Sequence, residues 1–418
     1  MSRLDELIAE LCPDGVEYKK LGDIASIARG GNLQKKDFCV SGVPCIHYGQ
    51  IYTRFGLFTD QALSYISEDV AKRQKMAVKN DIVMAVTSEN IEDVCKCVVW
   101  LGEEPVAVSG HTAIIHHEQN AKYLAYYFHS SMFFSQKQKL AHGTKVIEVT
   151  PDTLKGVSIP VPPLLVQQEI VRILDHFTEL TAELTAELTA ELTARKKQYE
   201  YYLNRLLDIN KLEPIQVVQF GELFEVKNGL NKEKSAFGKG TPIVNFTDVY
   251  NKRYLTAEML KGKVTLTPEE IERYRVRKGD VFFTRTSETK EDIGMSSTII
   301  EEIPDCTFSG FVLRARPLSD LLLPKFCSYY FSTKKVRDNI VRYASFTTRA
   351  TTSGPKLSKI PVPIIPIREQ ERIVSILDRF DTLCNDISLG LPAEIAARQK
   401  QYEYYRDKML TFKEKVVQ

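Results

Sequence analysis

The sequence lacks the marks that would assign a catalytic activity directly. Its 418 residues hold no Gly-x-x-x-x-Gly-Lys-Ser/Thr phosphate loop and no Gly-x-Gly-x-x-Gly after a strand-like run, so nothing marks a nucleotide site. An Asn/Asp-Pro-Pro-aromatic stretch of the kind that holds a target amine is missing as well. Pro13-Asp14 and Glu17-x-Lys19 carry the letters of a metal-dependent nuclease but stand too close together to converge from adjacent strands. The eight cysteines (12, 39, 45, 95, 97, 306, 327 and 384) include no Cys-x-x-Cys pair, which argues against a zinc ribbon and against a disulfide framework. No metal is expected, since His116 and His117 fall on opposite faces of any strand that holds them. Charge of one sign is also scarce. Fifty-six Lys plus Arg against 54 Asp plus Glu leave a formal +2, so any affinity for nucleic acid must come from local basic surface. No apolar run approaches the roughly 18 residues of a membrane span. The first fifteen residues form an acidic amphipathic segment rather than a signal peptide, which makes the cytoplasm the expected compartment, with no membrane partner.

What the sequence does have is a duplication. Ile-Pro-Val-Pro occurs at 159–162 and again at 360–363. From Pro163 to Leu207 and from Pro366 to Leu410 the chain aligns with itself at a constant offset of 203, with 21 of 45 positions identical. Ile173-Leu174-Asp175-x-Phe177 meets Ile376-Leu377-Asp378-x-Phe380, and Lys197-Gln-Tyr-Glu-Tyr-Tyr202 meets Lys400-Gln-Tyr-Glu-Tyr-Tyr405. Weaker matches extend upstream at offsets near 199. Leu21-Gly-Asp-Ile24 parallels Phe220-Gly-Glu-Leu223, Thr-Ser-Glu recurs at 87–89 and 286–288, and Ser-Gly recurs at 109–110 and 309–310. Each half is therefore a variable module followed by a well-matched tail.

The two parts differ in their patterning. The modules contain short β-branched and aromatic runs such as Asp81–Val86 and Asp280–Thr284, punctuated by Gly, Pro and Asn, and each ends in a helical stretch, 121–140 and 324–343. The tails place Ile170, Ile173, Leu174, Phe177, Leu180, Leu184, Leu188 and Leu192 at helical spacings on one face. Thr181–Leu184, Thr185–Leu188 and Thr189–Leu192 are in-frame Thr-Ala-Glu-Leu tetrads built from good helix formers. Each tetrad advances a helix by about 6 Å and rotates its stripe by about 40°. The expected fold is α+β: two pseudo-repeated β-rich modules, 1–162 and 209–363, separated by two long antiparallel helices, 163–208 and 364–418, that form a coiled-coil spacer. Gly390-Leu391-Pro392 should kink the second helix.

Polar and cationic side chains recur in both modules and supply the candidate sites. In the second module these are Arg253, Arg275, Arg277, Arg285, Thr286, Ser287 and the hydroxyl-rich segment with Thr347, Thr348 and Arg349. In the first they are Gln50, Tyr52, Arg54, Lys72, Arg73, Thr87, Ser88, Asn90 and Lys145. Such side chains suit phosphate anchoring and hydrogen bonding to base edges. Any one of them taken alone is equally well read as solvated surface. The Tyr pairs at 201–202 and 404–405 are read as packing residues at the ends of amphipathic helices.

Two divergent modules with matched helical tails, the Ile159–Pro162 motif running into Gln168–Asp175, the tetrads, Arg195–Tyr202, Leu391–Ile395 and Arg398–Tyr405 closely resemble the DNA-specificity subunit of Type I restriction-modification systems over the whole chain. The resemblance implies that the modules are target-recognition domains, each reading one half of an asymmetric bipartite site in double-stranded DNA. It implies that the helices set the gap and dock two methyltransferase subunits, and that two restriction/translocase subunits complete the complex. It places catalysis, with S-adenosylmethionine, ATP and Mg²⁺, in those partners, and leaves this chain without catalytic residues or a cofactor. The rival readings are a self-contained enzyme with diverged motifs, a coiled-coil scaffold that reads no DNA, and a silent specificity variant.

Overall fold

The β-branched and aromatic runs read from the sequence become the central strands of two sheets with one plan. In the computed structural model, Ile82–Ala85 lies in a five-stranded sheet of order Ala25–Arg29, Thr112–His117, Ile82–Ala85, Cys97–Trp100, Phe58–Thr59. Val281–Thr284 lies in a second sheet of order Phe224–Asn228, Val312–Pro317, Val281–Thr284, Ser296–Ile299, Tyr254–Leu255. The first three pairings of each sheet are antiparallel and the last is parallel. All four residues of both central strands are buried, and all but Thr284 are apolar, so these strands do not alternate. Among the described residues the first module also has a second five-stranded sheet, and the second module has two three-stranded ones.

The structure describes residues 2–208, 216–385 and 390–415, and the chain divides into two compact units, 1–187 with 395–418, and 188–394. The boundary expected between 208 and 209 abuts residues outside those described. Among the described residues no helix is long and apolar enough to cross a membrane. Each unit combines a module, the first turns of the helix that follows it, and the closing stretch of the other tail.

In the first unit the strand Ser158–Pro160, which carries the first two residues of Ile-Pro-Val-Pro, pairs antiparallel with Tyr18–Lys20, so the end of the module closes on its start. The chain then enters the helix Leu164–Leu206, 43 residues long. Buried Gln167 fixes that entry. Its Nε2 donates to the carbonyl of Pro162 at 2.8 Å, and its Oε1 accepts from the amide of Asn120 at 3.0 Å. Two turns on, Asp175 accepts from Lys122 Nζ at 2.7 Å and from the Tyr126 hydroxyl at 2.8 Å. Val166, Ile170 and Leu174 complete the core against Tyr123 and Tyr127. The helix Leu391–Met409 closes this unit through its residues from 395 onward. Tyr405 stacks on Phe177 with ring centres 6.0 Å apart, the Tyr402 hydroxyl lies 3.0 Å from Thr178 Oγ1, and Asp407 accepts from the amide of Ser131. Beyond that helix, the Val16 amide donates to Lys413, and the Lys415 amide donates to Val16.

The second unit repeats these contacts with different residues. Pro361–Pro363 pairs with Val217–Gln219. Gln370 donates to the carbonyl of Ile365 and accepts from the amide of Leu323. Asp378 accepts from Lys325 and from the Tyr329 hydroxyl. Tyr202 stacks on Phe380 at 5.5 Å, and Asn204 accepts from the amide of Lys334. The shared Asp, Gln and Tyr of the tails are therefore docking residues that bind helix to module, which is why they match while the modules diverge. One helix is described as far as Asn385, and the next starts at Leu391 with Pro392 in its first turn, where proline lacks only an amide that a helix start leaves unpaired anyway.

Two expectations are corrected. The stretches 121–140 and 324–343 are each two helices, Ala121–Phe128 with Ser131–Leu140, and Pro324–Tyr330 with Lys334–Tyr343. Ser130 caps the second helix of the first pair by accepting from the Phe133 amide, and its hydroxyl donates back to the carbonyl of Tyr127. The apolar stripe of the long helix is also not uniformly covered, since Phe177 and Leu180 remain exposed.

Candidate nucleic-acid interface

In both units a six-residue helix, Tyr48–Thr53 or Phe246–Asn251, follows the strand Val43–Ile46 or Phe237–Val244 and packs beside the central sheet. Thr-Ser-Glu follows the central strand after one residue, Val86 or Arg285, and a Ser-Gly turn precedes the strand Thr112–His117 or Val312–Pro317. These three elements meet in each unit, and the residues they bring together differ.

In the first unit the Tyr48 ring lies 4.5 Å from His47, 4.9 Å from His111 and 6.3 Å from Tyr52, and its amide donates to Ser109 Oγ. The Tyr52 hydroxyl donates to the carbonyl of Thr87 at 2.5 Å, and Thr87 Oγ1 lies 3.0 Å from His111 Nδ1. Burial pushes the Tyr52 phenol up and the His47 imidazole down, so both stay neutral near pH 7. In the second unit Phe246 and Tyr250 stack at 5.7 Å, with an interplanar angle of 16°. They line a cleft of about 420 Å³ together with Thr286, Ser287, Thr289, Phe311 and Arg349. Phe311 occupies the place of His111, directly after Ser-Gly.

In each unit the turn after Thr-Ser-Glu is clamped from inside. Asn90 donates through Nδ2 to Asp93 at 2.8 Å and accepts from the Asp93 amide, while Thr289 Oγ1 donates to Asp292 at 2.6 Å. Each turn then passes through a left-handed residue, Cys95 at φ 67° and Gly294 at φ 65°. Glycine adopts that conformation without strain, and a Cβ at 294 would meet Ile340 Cγ2 at 2.5 Å. A cation from the helix beneath holds the turn. Lys137 Nζ donates to the carbonyls of Glu92 and Val94, and the guanidinium of Arg337 donates to those of Glu291, Ile293 and Gly294.

The candidates read from the sequence divide accordingly. Arg54, Lys72, Arg73 and Lys145 are exposed, with Lys72 paired to Asp69 at 3.0 Å. Arg277, Arg285, Thr347, Thr348 and Arg349 are exposed too, and Arg349 pairs with Glu288 at 2.9 Å. Thr286 and Ser287 line the cleft, and Ser88 and Asn90 occupy the matching turn. Five candidates are engaged within the protein. Gln50 accepts from the His47 amide and donates to Ser64, which caps its own helix. Tyr52 and Thr87 are tied to each other and to His111 as described above. Arg253 pairs with Asp381 at 3.0 Å and sits over the rings of Tyr199 and Tyr329, so it fastens the helices of the second unit. Arg275 pairs with Glu272 at 3.1 Å, and its carbonyl accepts from Arg316.

Sequence reading passed over Tyr48, His111, Phe246, Tyr250 and Phe311 because it looked for cations and hydroxyls. The signal available was positional. Aligning the Ser-Gly pairs, at an offset of 200, puts His111 opposite Phe311, and aligning Gly42-Val43-Pro44 with Gly240-Thr241-Pro242, at an offset of 198, puts Tyr48 and Tyr52 opposite Phe246 and Tyr250.

Residues 13–194 and 213–397 match the family model described as Type I restriction modification DNA specificity domain. A Haemophilus influenzae protein provisionally named a type I restriction enzyme specificity subunit, S.HindORF215P, is 34% identical over 65% of this chain and 68% of its own length. The EcoR124I/EcoR124II specificity subunit of Escherichia coli is 34% identical over 62% of this chain, and the match spans 63% of that relative, just under two thirds. Among solved structures, a chain from a study of type I R-M system assembly superposes with a TM-score of 0.71 at 16% identity, covering 96% of this chain and 98% of that one. The HsdS subunit from Thermoanaerobacter tengcongensis gives 0.57 at 15% identity, covering 96% of each chain. At such identities these structures speak for the fold, which is the same two-module architecture. With both halves matched by one family model across most of its length, the chain belongs to the Type I restriction modification DNA specificity family.

Proposed function

We propose that this chain is the DNA-reading, non-catalytic subunit of a type I restriction-modification complex, with each unit recognising one half of an asymmetric bipartite site. The observation that supports this most directly is the pair of matching surfaces. One scaffold, fixed twice by the same strands, turns and clamping cations, presents Tyr48 and His111 in one unit and Phe246, Thr286, Phe311 and Arg349 in the other. A duplicated frame with different display residues is what two unlike half-sites require.

The methylation, ATP-driven translocation and cleavage chemistry belong in this reading to two methyltransferase and two restriction subunits, which bring S-adenosylmethionine, ATP and Mg²⁺. The Thr-Ala-Glu-Leu tetrads lie within the single helix Leu164–Leu206 and act as the ruler between half-sites. Four residues of helix are about 6 Å, nearly two base-pair rises of 3.4 Å, an upper limit if the units tilt.

Co-expression with the methyltransferase subunit in a methylation-free host, followed by genome-wide mapping of modified adenines, is expected to give one asymmetric motif with two short specific parts and a fixed gap. Deleting Thr185–Leu188 is expected to shorten the gap by one or two base pairs and leave both half-sites unchanged. No modification from soluble, co-purifying proteins would instead favour a scaffold or a silent variant. In the same assay Arg285→Ala is expected to cost about 1–3 kcal/mol of recognition at the half-site of the second unit and nothing at the other. Unchanged methylation of both halves would take Arg285 off the contact surface.

A further inference from the structure

Phe311 is 67% exposed, and its backbone is held on both sides. Its amide donates to Ser309 Oγ, its carbonyl accepts from the Arg285 amide at 3.1 Å, and the Val312 amide closes the turn onto Ser309. A large apolar ring is thus held out in water on a turn with little freedom, between the hydroxyls of Thr286, Ser287 and Thr289 and the Arg349–Glu288 pair. Phe246 and Tyr250 line the same cleft, so the ring belongs to an aromatic cluster open to water and is placed for a surface that meets it. The surrounding groups mix donors and acceptors instead of forming a run of cations. That make-up suits base edges better than phosphates. On base edges in the major groove, the apolar feature offered to a protein is the 5-methyl group of thymine.

We propose that Phe311 is a specificity-determining residue that reads the 5-methyl group of a thymine in the half-site recognised by the second unit, an assignment that rests on the DNA-reading role given above. The matching position in the first unit is His111, whose Nδ1 lies 3.0 Å from Thr87 Oγ1, so the same turn offers a polar group to the other half-site. The residue after Ser-Gly therefore differs in kind between the units, and the half-sites should differ in kind at the base it meets.

The test uses the chain assembled with its methyltransferase subunits and synthetic duplexes of the mapped motif, with each thymine of the second unit's half-site replaced in turn by uracil, which lacks only the methyl group. At one position uracil is expected to weaken binding about fourfold, the effect of leaving one methyl-sized group unburied. The Phe311→Ala complex is expected to bind the thymine duplex about fourfold more weakly than the parent and to be indifferent to uracil at that position. Phe311→Leu is expected to keep part of the thymine preference. A half-site with no thymine, uracil that is harmless at every position, or an undiminished uracil penalty in Phe311→Ala would overturn the assignment while leaving the bipartite motif, and so the DNA-reading role, intact. Absence of any sequence-selective binding by the parent complex would overturn both.

Discussion

Lys137→Ala is expected to lower the unfolding free energy of the first unit by about 3 kcal/mol, and Arg337→Ala to do the same to the second. Lys137 is 5% exposed, and its ammonium donates to the carbonyls of Glu92 at 2.9 Å and Val94 at 2.7 Å. Arg337 donates to Glu291 at 2.8 Å and Ile293 at 2.7 Å, and also to Gly294. Alanine at either position leaves those carbonyls without a donor in places that water reaches poorly, at about 1–3 kcal/mol for each unsatisfied group. Burial pulls the pKa of both cations down, opposed by the nearby carboxylates of Asp93 and Glu92 for Lys137 and of Asp292 and Asp338 for Arg337. Lys137→Met separates the two contributions, because it keeps the apolar stem and removes only the donor. The readout is urea unfolding together with amide hydrogen exchange over 88–95 and 287–294. Exchange should quicken in the turn of the altered unit alone. A loss below about 0.5 kcal/mol with protection unchanged would show that the clamp is dispensable.

Acid should act mainly on the first unit. Burial pushes His129 down to about 4 from an ordinary value of 6.5, helped by the positive charges of Arg406, Lys137 and Lys96 and opposed by the hydrogen bond to the Ala125 carbonyl at 2.9 Å. Between those two values the unfolded chain binds a proton that the folded chain refuses. Stability is therefore whole above about pH 6.5, falls as the pH drops through the window, and is lower by roughly 3 kcal/mol below about pH 4. Burial also lowers His47 and His117, which add to the same slope, so the quantity to measure is the difference between the parent and His129→Gln. The glutamine variant should show a flatter dependence between pH 6.5 and 4. Ser332 holds the matching place in the second unit and donates to the carbonyl of Tyr329, so that unit has no such titration. Equal slopes in parent and variant would mean that His129 is protonated in the folded protein.

The tails were legible because they do one job twice. Gln167 and Gln370, Asp175 and Asp378, and Phe177 and Phe380 make the same contacts in both units, so the duplication survives in the residues themselves. The central strands were legible for a different reason. A strand buried on both faces tolerates little besides β-branched and aromatic side chains. The helical stretches 121–140 and 324–343 hid their breaks because each rests on one hydroxyl, of Ser130 or Thr333, that donates to the carbonyl three residues back inside otherwise helical composition. The candidate interface was the least legible part. Chemical type singled out Gln50, Tyr52, Thr87 and Arg253, yet their polar groups satisfy neighbours within the protein. Exposure, which no residue type reports, is what distinguishes Arg285 and Phe311 from them.

The helix that completes the first unit comes from residues 395 onward, whereas the second unit is one continuous stretch, 188–394. On a ribosome the order of completion is thus the reverse of the order of emergence. Residues 1–187 leave the tunnel first, but their unit stays open along the face that Tyr402, Tyr405 and Asp407 cover until about two hundred more residues have been made. At roughly 5–20 residues per second that delay is on the order of 10–40 s, during which Phe177 and the Val16 edge lack their covering segment. The half made first is the half most in need of protection during synthesis, and a premature stop that spares the whole of the second unit still leaves the first one unfinished.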